Sequence, residues 1–201
     1  MNLKILGRLA GVLALTASLA GCIDMTAELE VKSETAGKAT TTMTMGKEFY
    51  PMIKQMAEAP DAKTDEAFCK DEGDVLVENA DGSATCTSVK EGDLTALSSP
   101  DSPTEDATYT VVSPGVVRVA FKTENMSGEV TKDQDEQTKA MMQQYFAGHT
   151  ATIRIKGKKI TDTNMTLSAD GTSSEIVIPF TALFDGTANL PAELYAVVDT
   201  N

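Results

Sequence analysis

Sulfur is the element with the most chemistry to offer in this chain. Met43 and Met45 alternate on what reads as one strand face, Met52 and Met56 recur on one helix stripe, and Met141 and Met142 belong to a second helix. Thioether side chains are flexible and polarizable, so this set suits either the wall of a ligand cavity or the filling of an irregular core. They are also soft ligands, and Met43-x-Met45 puts two on one face as a Cu(I) site would. The third Met or His that such a site needs is missing nearby, because the one histidine, His149, is remote in sequence. The acidic residues Asp61, Asp65, Glu66, Asp71, Glu72 and Asp74 lack the regular carboxylate spacing and closing Glu of a calcium loop and read as a solvated charge run. No metal and no cofactor are expected. His149 has no neighbouring carboxylate in register and suits the negative end of a helix. Arg154 and Lys156 alternate on a strand face, placed for a lipid headgroup or simply for water. No nucleophile, base and orienting group can be assembled, so no catalytic residues and no enzyme are expected.

The 201 residues carry 17 Lys plus Arg against 30 Asp plus Glu, a net charge of −13. Phosphate recognition needs a basic stripe, so nucleic acid is excluded as an expected partner. Lys4 and Arg8 precede an apolar run over residues 9–19. A membrane-spanning helix needs about 20 apolar residues, so this shorter run reads as the core of a signal peptide. It ends in Leu19-Ala20-Gly21-Cys22, which resembles the bacterial lipobox. The resemblance implies that residues 1–21 are removed and that Cys22 becomes the first residue, with diacylglycerol on its sulfur and usually an acyl group on its amine. Ile23 stands where an Asp would resemble an inner-membrane retention signal, so the resemblance further implies the outer membrane, facing the periplasm. Loss of Lys4 and Arg8 with the leader takes the charge to −15. Two or three chains hold a protein on a bilayer far better than one, and the anchor rather than any basic patch would set proximity. Strand-like alternation resumes by about Met25, which leaves a tether of about 10 Å and brings the body against the bilayer.

Cys69 and Cys86 then remain as a pair in an oxidising compartment, and a disulfide is the economical reading. It would add about 3 kcal/mol in the chain-entropy model. A redox or metal-ligand pair would favour a C-x-x-C spacing, which is absent.

The positioning elements follow from periodicity. Residues 26–32 and 39–45 alternate and would turn about Ala36-Gly37-Lys38. Phe49, Met52, Ile53 and Met56 fall on one helical stripe, with Pro51 in the first turn. Residues 60–107 are acidic and weakly periodic; a hairpin is legible around Asp81-Gly82, and the stretch reads as an insertion stapled by the cysteine pair. A second hairpin turns at Ser113-Pro114-Gly115. A helix then runs from a capping box at Thr131 and Gln134 to Gly148. Strands are expected over 151–155, 159–163, 174–180 and 194–198. The result is a single α+β domain over 22–201, a largely antiparallel sheet with two helices on one face and a disulfide-stapled insertion.

The segment from Gly157 through Lys158, Lys159, Ile160, Thr161, Asp162 and Thr163 to Asn164, the turn at Ser168-Ala169-Asp170-Gly171 and the extended residues 175–180 together resemble the LppM-type lipoprotein domain. The resemblance implies a membrane-tethered binder of lipid or glycolipid. On this reading a cavity lined by Met43, Met45, Met52, Met56, Met141 and Met142 opens toward Cys22. The alternative is a structural or protein-interaction accessory of an envelope complex, with residues 60–107 as its contact surface.

Overall fold

A computed structural model describes residues 23–57, 68–98, 107–123, 126 and 136–201. The lipobox-like segment with Cys22, the expected capping pair Thr131 and Gln134, and Asp61, Asp65 and Glu66 lie outside them.

Alternation of apolar and polar residues produces β1 (Ile23–Val31), which buries Ala27, Leu29 and Val31 and turns Glu28 and Glu30 outward. β2 (Ala36–Met45) returns antiparallel to it, with Val31 opposite Gly37 and Ile23 opposite Met45. The turn lies earlier than the glycine suggested. Ser33 closes it, its hydroxyl accepting from the Ala36 N–H at 3.0 Å, and Gly37 is a strand residue. A Cβ there would come within 2.5 Å of Leu94 Cδ2, so the glycine makes room for a core leucine.

The remaining elements are α1 (Tyr50–Ala57), β3 (Val75–Glu78), β4 (Ala84–Asp93), α2 (Leu94–Leu97), β5 (Ala107–Ser113), β6 (Val116–Lys122), α3 (Glu136–Tyr145), β7 (Thr150–Lys156), β8 (Lys159–Thr163), β9 (Thr166–Leu167), β10 (Ser173–Pro179), α4 (Phe180–Phe184) and β11 (Glu193–Asp199). The protein is α+β and its strands are largely antiparallel, in two sheets. The larger runs β3-β4-β2-β1-β7-β10-β9 and the smaller β5-β6-β11-β8. β1 and β7 pair in parallel, Met25 opposite Ala151 and Leu29 opposite Ile155.

The core lies between the sheets. Leu29, Val31 and Ile155 of the larger sheet meet Val117, Val119, Phe121, Ala196 and Val198 of the smaller, and Leu94 and Leu97 of α2 close one side. Asp93 caps α2, its carboxylate accepting from the Thr95 N–H at 2.9 Å. The stretch read as an insertion is therefore woven into the fold: β4 is an interior strand and α2 is core. Four helices are described instead of two, because α2 and α4 are too short to show a helical period.

Candidate functional site

The smaller sheet covers only part of the larger sheet's inner face. At the Ile23 end of β1 that face carries Met25 and Ala27, then Ala151 and Ile153 on β7, then Ile178 on β10, in register across the three strands. The two alanines are short where their neighbours are long. α4 lies over them with Phe180 and Leu183, and Met126 adds a further wall. A cavity of about 230 Å³ results, lined by these residues and Thr152. Thr152 lies between Ala151 and Ile153, at the opposite phase of the pleat, so its side chain belongs to the sheet's outer face. The volume is below the roughly 300–1,000 Å³ of sites for drug-sized ligands. It exceeds the void of about 150 Å³ that stays dry and accepts benzene. A short alkyl segment matches the space in both size and polarity.

Aromatic rings hold α4 in place. Phe146, just beyond α3, meets Phe180 at 5.4 Å and Phe184 at 5.0 Å between centroids. Phe180 N–H donates to His149 O at 3.1 Å. His149 is itself buried, and its Nδ1 lies 3.0 Å from Asp24 Oδ2. Asp24 Oδ1 accepts from the Thr150 N–H at 2.9 Å. Histidine thus has a carboxylate partner, which reading along the sequence missed because it comes from a residue 125 positions away.

The methionines divide differently from the expected grouping. Met45 is buried with Tyr50 and Ala84, against Ile23, Phe49, Ile53 and Phe68. Met43 lies in a separate groove of about 370 Å³, where Asp71, Glu72, Asp74 and Lys90 stand beside Ala39, Cys86 and Val89. Met52 (47% exposed), Met56 (51%) and Met141 (50%) face outward, and Met142 is half-buried. None of these six lines the apolar cavity, where Met25 and Met126 stand instead. The buried stripe of α1 begins at Tyr50 and continues through half-buried Ile53 and Ala57, so that of the expected stripe of Phe49, Met52, Ile53 and Met56 only Phe49 and Ile53 pack inward.

Cys69 and Cys86 form a disulfide, with their Cα atoms 5.4 Å apart. Asp74 joins them in a tight cluster, its Oδ2 3.6 Å from Cys86 Sγ. Sulfurs bonded to each other are not thiolates, so this cluster has no ready metal ligand set. Arg154 and Lys156 stand on the outer face. Arg154 bonds Glu175 at 2.7 Å and Glu28 at 3.2 Å, and Lys156 pairs with Glu28 at 3.4 Å. Carboxylates from the two strands that flank β7 thus neutralise the two cations, on the side of the sheet opposite the cavity.

Among the described residues no helix is long and apolar enough to cross a membrane. No protein-family model and no curated protein matches the chain. Among solved structures, the chain is similar to the folded domain of Mycobacterium tuberculosis LppM determined by NMR, at 7% identity and a TM-score of 0.44, over 89% of this chain and 90% of that one.

Proposed function

We propose that this chain is an envelope protein anchored through acylated Cys22, most simply in the outer membrane facing the periplasm, and that it shelters an alkyl segment of a lipid or glycolipid without catalysing a reaction. The cavity beneath α4 carries this reading. Its walls are apolar, and Met25 is three residues from Cys22, at most about 11 Å along the chain. An alkyl chain leaving the bilayer beside the anchor therefore has a short path to an apolar space, which lowers the exposed area during transfer.

The test is to fill the space. Ala151→Phe puts a ring among Met25, Ile178 and Leu183. Native mass spectrometry of protein taken from membranes should show a bound amphiphile in the parent and its loss in the variant. Equal retention in both, or no amphiphile in either, sinks the reading.

One observation favours the accessory role instead. β3 pairs with β4 and forms an outer edge of the larger sheet among the described residues. Its Val75, Leu76 and Val77 are exposed at 57%, 42% and 51%. An apolar edge of this kind accepts a strand from a partner. A single dominant crosslinked protein in cells, lost on Val75→Lys with Val77→Lys, would favour that role over lipid binding.

A further inference from the structure

We infer that α1 and α3 form a membrane seat, an apolar patch that lies in the lipid interface beside the anchored end of the chain. The inference rests on the reading of Cys22 as the acylated residue.

Met52 and Met56 lie on the outward stripe of α1, and Met141 and Tyr145, four residues apart, share a stripe of α3. The stripes touch at one ring pair: Phe49, which precedes α1 and continues the stripe of Met52 and Met56, stands edge to face with Tyr145 at 5.4 Å. Large apolar side chains on a soluble surface are ordinary when scattered, but a joined set marks a contact. What it contacts follows from where the chain enters the fold. Ile23, the residue that follows Cys22 in sequence, packs in one cluster with Phe49 and Ile53. Acyl chains on Cys22 would enter the bilayer beside the patch.

Charge supports an apolar occupant over an electrostatic one. The chain carries −13 overall, which repels anionic headgroups. Lys54, the cation of α1, is engaged with Glu78 at 2.6 Å. Methionine adapts its shape to disordered chains, and tyrosine suits the boundary where one end of the ring is wet. A seated patch also fixes the tilt of the body, and Met25 and the cavity mouth then stay near the lipid surface.

The chain contains no tryptophan, so a single introduced Trp reports its own surroundings. Full-length protein isolated from membranes as Met52→Trp and as Met141→Trp is reconstituted into vesicles of phosphatidylcholine brominated on the acyl chains. Val112→Trp is the control. Val112 is exposed next to the β5–β6 turn, where Gly115 N–H donates to Glu34 in the β1–β2 turn. That turn lies beyond the far end of β1, about 27 Å from Ile23. A seated helix lies about 5–10 Å into the headgroup and acyl boundary, so fluorescence at positions 52 and 141 should fall by roughly half, with position 112 unchanged. If the protein floats with the vesicles but positions 52 and 141 are not both quenched, or position 112 is quenched equally, the seat is wrong and the anchor stands. Failure to float at all overturns the anchor and the seat together.

Discussion

Asp24 and His149, 125 residues apart in sequence, meet at 3.0 Å and pin the start of β1 to the turn that leads into β7. The same carboxylate accepts from the Thr150 N–H at 2.9 Å. β1 and β7 are parallel neighbours with no hairpin between them, so this contact fixes one end of their register. Asp24→Ala removes the acceptor for both groups. We expect a loss of about 1 kcal/mol, since the bonds to a carboxylate are charge-assisted but the Asp24 side chain is half exposed and water takes over part of its role. Urea unfolding measures it, and amide exchange at Thr150 should accelerate more than at Leu29. Unchanged exchange at Thr150 would show that the pair does not hold the strand.

The cavity predicts an asymmetry between two isoleucines on one strand. Ile155 is fully buried between the sheets, whereas Ile153, two residues along β7, lines the cavity beneath α4. Ile155→Ala should cost about 2–5 kcal/mol, because it opens a new void in a packed region. Ile153→Ala should cost about half as much or less, because one side of that residue already lacks partner atoms. Equal losses in a denaturant series would mean that the space is collapsed in solution.

Local pattern reached as far as local contact does. Both central hairpins, the late strands and the disulfide pair were legible because each depends on neighbours in sequence or on cysteine count. The parallel pairing of β1 with β7 was not, since no turn announces it, and with it went the cavity, whose walls come from Met25, Ala151 and Ile178. Helical periodicity placed α1 but not its orientation. The stripe of Phe49, Met52, Ile53 and Met56 is split: Phe49 and Ile53 pack with buried Tyr50, while Met52 and Met56 lie outward, a division that spacing alone does not show. The acidic stretch misled for a similar reason. Its charge hid Leu94 and Leu97, which complete the core through contacts with β2, β4 and β5.

The Cys69–Cys86 bond ties residues before β3 to the interior strand β4, across 17 positions of sequence. β3 is short and its four residues are exposed, so little apolar burial holds it. Cys69→Ala with Cys86→Ala should lower stability by about 3 kcal/mol. Exchange protection should fall first in β3, while the core around Leu29 and Val119 keeps its order of protection. Chemical denaturation with and without reductant gives the first number, and residue-resolved exchange gives the second. A uniform loss across both sheets would instead make the bond part of the main core.

Asp170 provides a pH test of the turn between β9 and β10. Its Oδ1 accepts from the Ser168 hydroxyl at 2.6 Å and the Thr172 N–H at 3.1 Å. These hydrogen bonds, the Ser168 hydroxyl foremost, hold the carboxyl at about 2, below its ordinary 3.8. A lowered value means that the charged form is favoured by folding, so its contribution is present above about pH 4 and is lost as pH falls toward 2. Ser168→Ala removes the strongest donor, and the Asp170 midpoint followed by carboxyl carbon NMR should move up toward the ordinary value. The neighbouring contact, Ile160 N–H to Gly171 O at 2.7 Å, ties β8 of the smaller sheet to this turn. Its amide should therefore lose protection over the same acid range in the parent and at higher pH in the variant. A midpoint that stays near 2 without the serine hydroxyl would assign the shift to the backbone donor at Thr172.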